Sequence, residues 1–287
     1  MSTSAPQPRP SGIELERRRY RRRQSARSVV ISMMSTVVFA VVVALVVVNS
    51  PGWEAVKRSF FHWPTAAEFL PSILRGLWLN IRVLFFSVIG VAILAALLAV
   101  ARTLRGPIFA PLRLGAAIYT DFFRGVPLLL VLYLVGYGIP GLGLIDKRLP
   151  PEFWGTIAII LTYSSYVAEV LRAGIEAIHP SQRMAARSLG LTYHQTLRIV
   201  VLPQAIRKVT PALMNDLVSM QKDVGLISIL GAVDAIRAAQ IAQAQVYNFT
   251  PYVVASILFI AISWPLIRFT DWYTARTQSR EQVGGTV

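Results

Sequence analysis

The chain has no cysteine in 287 residues, three histidines, and only 14 acidic side chains against 29 basic ones. Each shortage excludes something. Without cysteine there is no disulfide framework, no thiol nucleophile and no cysteine-ligated metal. His62, His179 and His194 are scattered, form no H-E-x-x-H pair and sit beside no carboxylates at ligand spacing. Neither a metal site nor a catalytic residue is therefore predicted. No G-x-x-x-x-G-K-[ST] segment occurs, so nucleotide must be handled by another chain. Charge is scarce altogether, at 15% of residues, where a soluble domain carries about 25%.

What fills the space is apolar. Hydrophobic residues make up 54% of the chain and mean hydropathy is +0.54, which places it among multi-pass membrane proteins built from spans of about 20 residues. The net charge of +15 raises nucleic acid as a partner. The positive charge flanks apolar runs instead of forming a folded basic face, so no nucleic-acid partner is predicted.

Residues 1–28 begin with Pro, Ser and Gln and end in the arginine run Arg17 to Arg23. They read as a disordered cytoplasmic tail beside anionic lipid. Residues 29–48 are the most apolar run. They exceed the roughly 7–15 residues of a signal-peptide core and no A-x-A site follows, so they read as a retained extra N-terminal span. An external linker, 49–74, comes next. Further spans are expected at Leu77–Val100, Ile118–Tyr137, Phe153–Ile175, Pro211–Leu230 and Tyr252–Trp272, with a cytoplasmic tail at 276–287. Counting Lys and Arg puts both termini and residues 176–203 in the cytoplasm. Gly231–Phe249, rich in Ala and Gln, reads as an external helix. No internal repeat stands out.

The loop 176–203 has local signals of its own. Ser181 fits an N-cap and Gln182–Leu189 make two helical turns. Gly190 suits a left-handed C-terminal cap, and Thr192-Tyr193-His194-Gln195 a capping box opening a second helix. A small amphipathic helix with a tight glycine corner fits another protein's groove or rests on lipid; pattern alone favours neither.

Polar residues inside spans also need a reason, since a charge at the bilayer centre costs at least about 2.5–3.5 kcal/mol. Asn215, Asp216, Ser219, Lys222 and Asp223 fall on one helical stripe, as do Thr162, Ser165, Tyr166, Glu169 and Arg172. Two readings stand. The stripes line a cavity that meets the α-amino and α-carboxylate groups of an amino acid, or they hold helices together. Glu169 and Arg172, at i and i+3, are placed to pair. Lys222 and Asp223 lie towards the outer end, where a gate would sit.

Residues 182–203 resemble the EAA loop of bacterial ABC importer permeases, E-A-A-x3-G-x9-I-x-L-P, with Met184 at the Glu position and Val200 at the Ile position. Phe123-Arg124-Gly125-Val126-Pro127-Leu128-Leu129 resembles the F-R-G-T-P-L-L of polar amino-acid permeases. Tyr166-x-Ala168-Glu169-x-x-Arg172-x-Gly174-Ile175 and Lys222-Asp223-Val224-Gly225-Leu226 resemble two further motifs of that family. The likeness covers 75–275, as an ABC permease transmembrane domain.

The resemblance implies an all-α, multi-pass helical bundle of the type I importer (MetI-like) arrangement with one extra N-terminal span, in the cell membrane. It implies a permease subunit that imports a polar amino acid and is itself no enzyme. Its implied partners are ABC ATPase subunits, a second permease subunit (identical or homologous), an external substrate-binding protein and the lipid bilayer. ATP and Mg belong to the ATPase, leaving this chain with no cofactor. ATPase contact falls to Arg183, Met184, Ala185, Ala186, Arg187, Leu189, Gly190, Leu191 and Tyr193. The substrate pathway falls to Asn215, Asp216, Ser219, Lys222, Asp223, Glu169, Tyr166 and Ser165. Met184 in place of Glu removes an acid that would complement the helix dipole and implies a less polar ATPase contact. The alternatives are an osmolyte or opine-like cargo for the same class of importer, or a membrane scaffold or receptor with no transport cycle.

Overall fold

Helix-forming residues continue well past the expected boundaries. The computed structural model describes residues 12–104, 106–143 and 149–284, the side chains of 13–27 and 277–284 excepted. They fall into two compact units, Met1–Arg58 and Ser59–Val287.

In the first unit, α1 runs unbroken over Gly12–Val48. Residues 12–28 were expected to lack structure, and that expectation is corrected. Glu, Arg, Gln and Ala dominate here and are strong helix formers, and extending a nucleated helix costs far less than starting one. The expectation for 1–11 lies outside the described residues. Val29 to Val48 are exposed on every side, and a helix that is apolar all round belongs in lipid.

The presumed linker 49–74 is also largely helical. Helix α2 covers Trp53–Phe60. Helix α3 covers Trp63–Thr103, starting well before Leu77 with Pro at its opening turn, a position proline favours. At the second unit's start, Phe60 stacks on Phe249, and the Phe249 N–H donates to the Ser59 carbonyl (2.7 Å).

The expected straight span at 118–137 is instead two helices. Helix α4 (Ala110–Gly125) and α5 (Leu128–Gly141) meet at 105°. Pro127 forces the break, because it disfavours helical geometry at Val126 and removes a donor.

Helix α6 is Pro151–Glu176 and α7 is Pro180–Ser188. Helix α8 runs over Tyr193–Leu230, starting with a π-turn at Thr196–Val201 and ending in a tight 3-10 stretch, Val224–Leu230. Helix α9 is Ala235–Val246, bent by 52° from α8, and α10 is Thr250–Gly284. Among the described residues four helices are long and apolar enough to cross a membrane, and counting each bent pair as one span gives up to six.

Helices α3 and α6 form the central pair. Val83 and Val91 of α3, Ile159 and Tyr163 of α6, and Met220, Val224 and Ile227 of α8 make one buried cluster. Ile73 and Leu77 pack on the alanines of α9 in a second. There α9 comes so close that a Cβ on Gly76 would strike the Asp234–Ala235 backbone. Asn80, one turn on and 2% exposed, closes the contact. Its Nδ2 donates to Asp234 Oδ2 (2.9 Å), and its Oδ1 accepts from the Ala235 N–H (3.1 Å). Asp234 in turn caps α9, accepting from the Arg237 N–H (2.8 Å).

Candidate functional site

The corner between α6 and α8 is built from local signals. His179 is the N-cap of α7, its Nδ1 accepting from the Ser181 N–H (3.2 Å), with Pro180 first in the helix. This corrects Ser181 as the cap: Pro180 has the fixed φ of a first helical residue, moving the start back by two. At the other end Gly190 sits at φ +83°. Its N–H donates to the Arg187 carbonyl (2.9 Å), and the Leu191 N–H to that of Ala186 (3.2 Å), which together form a Schellman cap. Thr192 and Gln195 then exchange the two bonds of a capping box (3.3 and 2.9 Å).

The corner is tied to the spans. Arg183 Nη2 donates to the Ile175 carbonyl (2.6 Å) and Lys208 Nζ to that of Ala177 (3.2 Å). Both cations satisfy orphan carbonyls at the C-terminal end of α6, where positive charge is favoured. Ala186 is buried and Arg183 half-buried, so these two expected contact residues face the bundle. Met184 (62% exposed) and Leu189 (83%) project outwards with Ala185, Arg187, Gly190 and Tyr193. Leu191 is half-buried.

Further along α6, both oxygens of Glu169 are taken. Arg102 of α3 donates to Oε2 (2.7 Å) and also to Thr120 of α4 (2.9 Å), while Arg172 donates to both oxygens of Glu169 and reaches Glu176. Arg102 thus joins three helices, and the expected Glu169–Arg172 pair is present. Glu169→Gln is expected to lower stability by about 1–2 kcal/mol, read as a lower melting midpoint. Bonds to charged groups are worth about 1.5–3 kcal/mol, and partial exposure reduces that.

The pathway residues on α8 share one broad face but not one environment. At about 100° per residue, Asn215, Ser219 and Lys222 lie within a narrow arc of α8 and are exposed. Asp216 and Asp223 sit some 80–100° round the helix, half-buried. Asp223 accepts from Tyr163 of α6 (2.7 Å), and Asp216 Oδ2 is buried with no hydrogen-bond partner. Ser165 is fully buried and donates to the Thr162 carbonyl of its own helix (2.6 Å), so it presents nothing to a ligand. Glu169, held by arginines on both oxygens, is likewise committed elsewhere. Tyr166 is exposed, with a long bond to the Arg124 carbonyl (3.4 Å).

Sequence reasoning passed over Asn80, Arg102, Tyr163 and Asp234. Asn80, inside the apolar run of α3, and Arg102, at its end, were the available signals, since polar groups in a span demand partners.

The geometry is that of a bundle of apolar helices interrupted by a glycine-cornered loop, from which apolar side chains project. A family profile described as "Binding-protein-dependent transport system inner membrane component" matches residues 107–280, and the chain belongs to that family. Among its relatives is the Arginine transport system permease protein ArtQ of Bacillus subtilis (strain 168). The two are 34% identical over 195 residues, covering 67% of this chain and 86% of the relative. The structure described as "Crystal structure of an amino acid ABC transporter with histidines" aligns with TM-score 0.69 and 30% identity, over 75% of this chain and 98% of that one. A chain of the MetNI methionine ABC transporter shares the fold, at TM-score 0.54 and 19% identity, over 72% and 96% of the two chains. The architecture is the all-α, MetI-like arrangement.

Proposed function

We propose that this chain forms the membrane pathway of an ATP-driven importer for polar amino acids, with its termini and the α6–α8 corner in the cytoplasm. The carrying observation is the corner. Two apolar side chains, Met184 and Leu189, stand exposed on a turn whose caps and cationic ties fix it to the ends of α6 and α8. Lipid gains nothing from holding a turn so firmly, whereas a groove on a moving partner does. ATP binding and hydrolysis reside on that separate ATPase, with its Mg. A binding protein delivers cargo from outside, and a second permease completes the pathway. Amino acids as cargo follow the relatives' names.

The exposed arc of Asn215, Ser219 and Lys222 and the unpartnered Asp216 oxygen support a polar lining along α8. Asp216 is suited to the cargo's ammonium group. Asp216→Ala is expected to lower uptake at least about tenfold, the loss of one charge-assisted contact, while the chain still co-purifies with its ATPase. Uptake at the wild-type rate removes Asp216 from the pathway. Failure to co-purify with any ATPase favours the scaffold reading.

A further inference from the structure

A cleft of about 600 Å³ opens between α7, the first turns of α8 and the C-terminal end of α3, bordered by Met184 of the corner offered to the ATPase, and the transport cycle proposed above places no ligand in it. Its polar lining is dominated by arginine: Arg102, Arg183 and Arg187. The carboxylate of Glu176, also in the lining, is already paired with Arg172. Arg102 is committed to Glu169 and Thr120.

The other two arginines are not neutralised. Arg183 gives one Nη2 to a neutral carbonyl, and Arg187 has no carboxylate partner among the described residues. They stand at i and i+4 on α7, so two like charges share one helix face, which is unfavourable unless an anion sits between them.

Two buried polar atoms of lining residues lack any acceptor or donor. They are Nε of Arg183 and Oγ1 of Thr196, the latter on a side chain only 4% exposed. Leaving such atoms unsatisfied is costly, and forked guanidinium donors beside a hydroxyl match the oxygens of a phosphate. Apart from Thr103 and Tyr193, the rest of the wall is apolar, with Leu104, Ile178, Leu197 and Val201. The cleft also lies where α3 and α6 end, at the limit of their apolar length.

We propose that this cleft binds a phosphate group, gripped by Arg183 and Arg187 with Thr196 Oγ1 donating, and that an anionic phospholipid supplies it. The apolar wall receives the glycerol and first methylenes. Bound there, the lipid braces the corner against the spans, making the coupling sensitive to the anionic content of the membrane. A soluble phosphate compound presents the same group without the tails, and the test separates the two sources.

The full-length chain in neutral detergent is titrated with phosphatidylglycerol, with diacylglycerol of the same tails, and with inorganic phosphate. Binding is read by native mass spectrometry and by calorimetry. Phosphatidylglycerol is expected to bind at least about tenfold more tightly than diacylglycerol, and Arg187→Gln and Thr196→Val each to weaken it by roughly tenfold, one charge-assisted bond's worth. Arg187 is exposed and valine is close to threonine in shape, so neither change threatens folding; unchanged melting midpoints check this. Inorganic phosphate that binds alone, with the same dependence on both residues, supports the site and assigns it a soluble ligand. Phosphatidylglycerol bound no better than diacylglycerol with no phosphate binding, or binding indifferent to both substitutions, overturns it.

Discussion

Valine at position 190 is expected to abolish uptake while leaving the amount of protein in the membrane unchanged. Gly190 holds φ +83° at the end of α7, a conformation that costs a non-glycine residue about 1–3 kcal/mol and a β-branched one the upper part of that range. Nothing lies within 4 Å of where its Cβ would stand, so the penalty is purely one of backbone. The chain escapes it by giving up the left-handed turn, and with it the bonds from Gly190 to Arg187 and Leu191 to Ala186. The orientation of Met184 and Leu189 is lost, and the motion of an ATPase no longer reaches α8. Asparagine tolerates the left-handed region and is expected to retain most activity at the same site. The measurement is radiolabelled amino-acid uptake, paired with ATP hydrolysis by the assembled complex. Valine-substituted protein that transports at the wild-type rate means that the corner's shape is immaterial to coupling.

Asn80→Leu is expected to produce the largest loss of stability. The substitution keeps volume but strands the Asp234 carboxylate oxygen and the Ala235 N–H at a contact where Asp234 is 0% exposed. Each unsatisfied buried group costs about 1–3 kcal/mol, more for a charged one, and the substitution leaves two of them. At about 2–4 °C per kcal/mol for a domain of this size, the melting midpoint in detergent falls by about 10 °C. Asp234→Asn, whose single amide oxygen can still accept from the Arg237 N–H but turns a donor towards Asn80 Nδ2, loses one of these bonds and is expected to fall by less. Equal midpoints for Asn80→Leu and the wild type show that α9 is held by its alanines alone.

Much of this molecule is legible from its residues, for reasons that differ by element. The corner is local chemistry: glycine at a left-handed cap and Thr-x-x-Gln at a capping box act through their nearest neighbours, and both are present. The Glu169–Arg172 pair is likewise set by helical spacing. Where tertiary partners decide, sequence spacing misleads. Ser165 turned out to bond within its own helix, and Asp223 found Tyr163, because rotation about α6 and α8 sorts polar residues by packing. Arg102 and Asn80 reach partners far along the chain, 67 and 154 residues away, distances no periodicity reveals. The bend at Pro127 was readable from proline's geometry, but the apolar run across it masked the break. Terminal helix lengths were underestimated because hydropathy marks where lipid suits a helix, while helix propensity carries α1 and α3 beyond it.

The π-turn at Thr196–Val201 makes the interval between Gly190 and Pro203 an angular setting as well as a length. A π-turn holds one residue more than an α-turn in the same rise, so everything before it is phased by roughly 100° against everything after. Were a single residue to drop out of this turn, α8 would close into an ordinary helix with its hydrogen bonds intact. The handle would then point a quarter-turn away from the arc of Asn215 and Ser219. The spacing is thus a torsional clock, and its hand is read at Met184.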